Sequence, residues 1–356
     1  MKGGGDGVKT VTVRLTTTKK AAALFGFLVL CAVLLLFPSA VKSGVSRGLA
    51  VCGNVLVPTL LPFMALAFFL VESGLADSIG RRLGRVTSAL FGLPGCTAAG
   101  ICLAFVGGYP AGAAACAKLI EREQLSPHDA RRMMRFCVVA GPAFVVGTVG
   151  TELLGSPLHG FLLLAAQWAA ALFIGVIGGR GHRNARSSPP PASPPKPLLS
   201  AAAVAVGDAA RAMLTVCGFV TVTTGFLSVL DAVGLPPLVT DVAAVLSEVS
   251  VGCLAVAPNA LLLAACIGFG GLSVFGQIAA LFRFPLLTRD FFAARITHAA
   301  LATVFSWVLF RLFPLPVATA AAAYERVVPF SCGFTGSAAL LATLAVAVLS
   351  LPQKGT

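Results

Sequence analysis

Four short stretches of this chain carry residue types that could recognise a solute. They are Gly107-Gly108-Tyr109-Pro110-Ala111-Gly112, the pair Gly141-Pro142, Glu248 with Ser250, and the run Gly268 to Gln277, which holds Gly270, Gly271, Ser273 and Gln277. Proline removes a backbone donor and glycine relaxes the backbone, so helical hydrogen bonding fails at such places. In a bilayer, unpaired backbone groups persist only inside protein or beside a watery cavity. Freed N–H groups at the start of a helix over 111–123 would attract an anion; a structural kink or tight helix packing is the plainer alternative. Glu248 is an ionisable group beside a broken segment, a functional candidate in a membrane. Asn54, Asn259 and Gln277 could serve as polar ligands or as interhelical hydrogen bonds. Glu72, Glu152 and Asp231 read as solvated or paired carboxylates near span ends.

The chemistry on offer is binding. There is no Ser/His/Asp grouping, no H-E-x-x-H, no phosphate loop and no dinucleotide fingerprint. An enzyme and a cofactor are therefore not expected, and transport would run downhill or on a gradient. The ten cysteines form no C-x-x-C pair and the four histidines are scattered, so no metal site is expected. Buried thiols behave as small hydrophobes.

Composition sets the elements that must hold these residues. Of 356 residues, 57% are hydrophobic and 11% charged, with a mean hydropathy of +0.94. A soluble domain is about a quarter charged. The chain therefore reads as an all-α polytopic membrane protein whose first partner is the lipid bilayer. A net charge of +13 would suggest nucleic acid in a soluble protein. Here the cations sit between apolar runs, where they orient the chain, and no nucleic-acid partner is expected.

A basic tail over 1–20 precedes an apolar run from Ala21 to Pro38, too long for a signal-peptide core and followed by a poor cleavage site. It reads as a retained anchor (21–43) with a cytoplasmic N-terminus. Spans of roughly 20 residues are expected at 21–38, 50–71, 136–154, 157–177, 213–231, 296–313 and 327–350. Stretches 94–120 and 253–287, interrupted by glycines, read as re-entrant hairpins preceded by amphipathic pieces at 75–92 and 235–251. A Pro/Ser/Arg linker over 178–197 separates a first repeat (44–177) from a second (198–350), and 351–356 is a tail. On this layout all but six of the 26 cations (Lys42, Arg47, Arg283, Arg289, Arg295 and Lys354) lie on the cytoplasmic face, as the positive-inside rule requires.

The two glycine-broken stretches echo each other. Phe105-Val106-Gly107-Gly108 is followed by Leu125-Ser126-Pro127-His128-Asp129, and Phe269-Gly270-Gly271 by Leu287-Thr288-Arg289-Asp290. Ser126 and Thr288 are helix-start signals. With the first hairpin opening to the cytoplasm and the second outward, this is an inverted repeat, a plan of secondary transporters with a site near the midplane.

At these residues the chain resembles the YlbJ-like sporulation integral membrane proteins of the nucleoside-recognition (Gate) superfamily. The resemblance rests on Gly107 to Ala113, Phe136-Cys137 through Gly141-Pro142-Ala143-Phe144, Glu248 to Cys253 and Gly268 to Gln277, across about 45–350. It implies two Gate-type units and a role in spore formation. The attributed activity is import of dipicolinic acid into the developing spore, across the mother-cell-derived outer forespore membrane. The chain departs from the family where Val138-Val139-Ala140 replace a polar residue before Gly141-Pro142, and where Phe275 stands in place of His. The expected function is a permease for a small anionic solute, held by Gly107, Gly108, Tyr109, Pro110, Gly112, Gly141, Pro142, Glu248, Ser250, Gly270, Gly271, Ser273 and Gln277. A nucleoside-like cargo and a non-transporting envelope scaffold are the alternatives, and a homo-oligomer is compatible with either.

Overall fold

The computed structural model describes residues 17–180 and 194–314, whose regular elements are all helices, with no strand among them. The basic tail to 16, most of the linker, the expected span 327–350 and the tail 351–356 lie outside the described residues. The first half contains α1 (Thr17–Leu36), α2 (Pro38–Val51), a π-helical turn at Cys52–Leu56, α3 (Val57–Glu72), α4 (Leu75–Phe91), α5 (Thr97–Gly107), α6 (Tyr109–Glu121) and α7 (Pro127–Met134). A second π-helical segment, Ala143–Leu153, then leads to α8 (Pro157–Gly179). The second half contains α9 (Leu198–Val233), α10 (Pro237–Ser247), α11 (Val249–Val256), α12 (Ala260–Phe269), α13 (Gly271–Ala279) and α14 (Arg289–Leu312). Among the described residues, five stretches are long and apolar enough to cross a bilayer: Pro38–Glu72, Pro157–Gly179, Leu198–Val233, Ala260–Ala279 and Arg289–Leu312.

Helix starts follow side-chain chemistry. Ser126, Ser156, Asn259 and Thr288 each accept a backbone N–H from the first turn they open, and Glu248 does the same for α11. Helix ends are met by buried arginines. Arg122 donates to the carbonyls of Val71 (2.8 Å) and Glu72 (3.0 Å) at the end of α3. Arg132 donates to Gly92 (2.9 Å) and Phe91 (3.0 Å) at the end of α4. Arg295 donates to Arg135 and Val138 after α7. A cation there answers both the orphan carbonyls and the negative end of the helix dipole.

Two helix pairs fold back on themselves. In α5–α6 a Cβ added at Gly100 would lie 3.3 Å from Ala115 Cβ, and one at Gly112 2.9 Å from Ala104 Cα, with the turn at Gly108. In α10–α11 a Cβ on Gly252 would lie 2.7 Å from Val245 Cα, with the turn at Glu248. The second hairpin is thus at 237–256, not at 253–287. Gly270 and Gly271, at φ +91° and +85°, bend a helix instead. α12 packs on α14 and α8, whereas α13 leaves it for α9, α6 and α10. Glycine pairs serve a bend as well as a reversal, and the true reversal carries no glycine. It uses extended Glu248 (φ −145°), whose own carboxylate caps the returning helix.

Two further expectations change. The span 136–154 is not a regular helix: residues 135–141 are non-helical and a π-helix follows. Arg135 pairs with Asp290 at 2.6 Å, and Arg131 donates to the Pro285 carbonyl. The 131–135 cluster and the Arg283–Arg295 region therefore share one end of the bundle rather than opposite faces. A bent α12–α13 running through the bundle, in place of a hairpin, adds the crossing that brings them together. At that end Lys118 Nζ lies 2.8 Å from Glu72, 2.9 Å from Glu121 and 2.9 Å from Asp208, and Lys196 also reaches Glu72. Glu72 is thus a paired carboxylate that joins α3, α6 and the entry to α9.

α2 lies along α9 through Gly44 and Gly48. A Cβ at Gly44 would sit 2.5 Å from Ser228 Oγ, and one at Gly48 2.8 Å from Thr221 Cα. Small residues spaced four apart let helix backbones approach in a membrane. Gly48→Leu is expected to destabilise the protein by about 2 kcal/mol through overpacking, read as a lower melting temperature in detergent. Gly218→Ala, where nothing lies within 4 Å of the added carbon, should leave it unchanged or slightly raised.

Candidate functional site

The interruptions meet. Gly108 has φ +84°, and a Cβ on it would lie 2.9 Å from the Gly141 nitrogen, so the first hairpin tip rests on the non-helical segment before Pro142. A Cβ on Gly271 would lie 3.2 Å from the Glu248 nitrogen and the Ser247 carbonyl carbon, so the second hairpin tip rests on the bend between α12 and α13. Each half thus runs hairpin, interrupted segment, then a long hydroxyl-capped helix (α8 or α14), and those last helices pack together.

The halves also satisfy each other's broken backbone. The α12 hydrogen-bond ladder ends with Gly270 N–H on Cys266, and the Ile267 carbonyl accepts the Tyr109 hydroxyl of the first half at 2.6 Å. In return Arg295 of the second half holds the Arg135 and Val138 carbonyls of the first. Gln167 of α8 adds a bond to the Ala264 carbonyl at 2.8 Å. Buried polar backbone needs such partners, because each unsatisfied group costs several kcal/mol in hydrocarbon.

Around this junction lies a small cavity of ≈ 60 Å³. Of the residues expected at a site, Gly107, Gly108, Tyr109, Pro110, Gly141, Glu248, Ser250 and Gln277 line it. The others stand behind them. Gly112 packs against Ala104 inside the hairpin and Gly271 against the second tip, while Gly270 lies beneath the Tyr109 ring. Pro142 opens the π-helix. Ser273 is buried and accepts Gln277 Nε2 at 3.1 Å. Phe275 is packed edge-on against Phe269, Phe291 and Phe292 and belongs to the core. Asn54 is exposed, Asn259 caps α12, and neither lines the cavity.

Sequence reasoning missed one wall of the cavity. Val55, Leu56, Thr59, Leu60 and Phe63 line it from Pro38–Glu72, Thr148 from the second π-helix, and Val216 and Val220 from α9. Pro58 and Pro62, four residues apart in an otherwise apolar span, were the available signal. They remove consecutive ladder donors where the π-turn Cys52–Leu56 meets α3, and such irregularities often border functional sites. The Thr148 hydroxyl has no hydrogen-bond partner among the described residues. Among the lining residues the one charged side chain is Glu248, 2% exposed, whose Oε2 accepts the Val251 N–H at 2.8 Å.

Long apolar helices with interruptions buried at their centre define a multi-pass helical membrane protein. Along most of its length this one is similar to the sporulation integral membrane protein YlbJ of Bacillus subtilis (strain 168). The two are 25% identical over 335 residues, covering 80% of this chain and 81% of that one. No protein-family model and no solved structure matches the chain.

Proposed function

We propose that this chain is a secondary-type permease that moves a small solute through the central cavity, with the α5–α6 and α10–α11 hairpins as its two gates. One observation supports this most: two hairpin tips and the break before Pro142 line a single cavity, with the α12–α13 bend directly behind the second tip, in halves built in the same element order. In this reading the halves are an inverted repeat of Gate type, with α12–α13 a broken crossing. That adds one to the seven spans expected from sequence. Grouping Arg283, Arg289 and Arg295 with the linker end leaves Lys42, Arg47 and Arg311 as the cations of the opposite end among the described residues. The linker end is then cytoplasmic.

The cargo is a small anion. α6, α11 and the π-helix 143–153 all begin at the cavity, since Tyr109, Val249 and Ala143 line it. Helix starts present N–H groups and positive dipole ends, as in transporters whose half-helices face an anionic substrate. Similarity to a sporulation protein makes spore formation the setting and dipicolinic acid the first cargo to test, with nucleosides as the alternative. The chain works by binding and movement rather than catalysis. The experiment is uptake into proteoliposomes. Saturable dipicolinate accumulation is expected, saturable nucleoside uptake without dipicolinate uptake would overturn the anionic cargo, and uptake of neither would overturn the permease.

A further inference from the structure

We infer that Glu248 is a proton-binding site in the cavity wall, and that its carboxylate must take up a proton before an anionic cargo can settle beside it. The inference rests on the anion-permease reading above. Its basis is the charge inventory of the cavity. Glu248 is buried and is the one charged side chain lining the space, and no cation among the described residues forms an ion pair with it. The buried guanidinium of Arg295 is committed to the Arg135 and Val138 carbonyls.

The groups that hold the ionised form are those of a helix start. Glu248 Oε2 accepts the Val251 N–H, and Ser250 adds backbone and hydroxyl hydrogen bonds. When ionised, Glu248 therefore places an anion at the dipole end of α11. The titratable groups that face it are the Tyr109 phenol from α6, the Cys253 thiol from α11 and the Cys52 thiol from the π-turn. α13 contributes Gln277, and α3 and α9 contribute Thr59, Val216 and Val220, none of which titrates near neutral pH. A cargo carboxylate entering this space meets a like charge with no buried cation to offset it. Two carboxylates that share a site do not both ionise. The Glu248 carboxylate binds one proton from the side on which the cargo enters and becomes a carboxylic acid. It returns that proton on the side where the cargo leaves. Proton and anion thus travel together, and a pH gradient drives accumulation.

Glu248→Gln tests this, because the amide oxygen still accepts the Val251 N–H while the proton site is gone. Three measurements on protein in lipid nanodiscs or vesicles separate the outcomes. Infrared difference spectra of the solute-free protein across a pH step should show a carboxylic-acid band that is absent from Glu248→Gln. Dipicolinate affinity of the wild type should fall about tenfold per pH unit above the titration of that band, and the variant's affinity should be flat. In vesicles, the variant should lose accumulation driven by a pH gradient. A carboxylic-acid band, a pH-dependent affinity or gradient-driven accumulation that persists in Glu248→Gln overturns the proton site. A titrating band with no dipicolinate binding overturns the anionic cargo and leaves the proton site standing. Should Glu248→Gln fold poorly, Glu248→Asp keeps a carboxylate, and its band should return at a shifted pH.

Discussion

Arg295→Met is expected to destabilise the protein by about 4 kcal/mol, through the loss of two buried hydrogen bonds from a charged donor. Arg295 is completely buried. Its guanidinium holds the carbonyls of Arg135 and Val138 and lies 3.3 Å from His298 Nδ1. Hydrogen bonds from a charged donor contribute about 1.5–3 kcal/mol each, and loss of the donor orphans both carbonyls in an apolar interior. Thermal unfolding in detergent should shift downward by roughly 10 °C. Arg295→Lys should recover less than half of that, because an ammonium is a compact point charge and lacks the planar fork that reaches two carbonyls. Arg311→Met removes an exposed arginine that lies over the Trp307 ring at 5.7 Å and should move the midpoint little. Full stability in Arg295→Lys would show that charge alone, not the fork, holds the non-helical segment 135–141.

The same contact shows what a linear reading of the chain reveals and what it does not. Apolar length and cation placement made a multi-pass helical membrane protein legible, and the first hairpin follows directly from Gly107-Gly108-Tyr109-Pro110. Ser126 and Thr288 announced their helices as caps. Pairing the halves by glycine clusters failed for a physical reason. Gly108 turns a hairpin and Gly270-Gly271 bends a helix, yet both demand only a left-handed backbone. The equivalent turn in the second half is made by Glu248 in an extended conformation, with no compositional mark. Arg295 looked like a loop cation because sequence distance hides that residues 135–138, some 157 positions away, need its donors. Glu248 was legible as a candidate because an acid amid apolar residues stands out. The Thr59 and Val216 walls were not, since apolar lining and apolar core share one composition.

Gly108→Ala is expected to destabilise the protein by about 4 kcal/mol. Two effects add. At φ +84° and ψ −170° the backbone is in a region that is essentially open to glycine alone, which costs about 1–3 kcal/mol for any other residue. The new Cβ would also lie 2.9 Å from the Gly141 nitrogen and 3.2 Å from its Cα, and overpacking of this kind costs about 1–3 kcal/mol. The obstacle is backbone, so no side chain can swing away. Gly141→Ala probes the same contact from the other side without the first effect. Gly141 is not among the positive-φ positions, and its Cβ would approach the Gly108 nitrogen only to 3.2 Å. Its loss should be about half as large. Folded yield and melting temperature of the two variants, measured beside Gly178→Ala, where the added carbon meets nothing within 4 Å, check the ordering. Equal losses at 108 and 141 would mean that contact alone matters. Loss at 108 with none at 141 would mean that the tip and the break do not touch, and the first hairpin would then lack the backbone-to-backbone contact on which its gate depends.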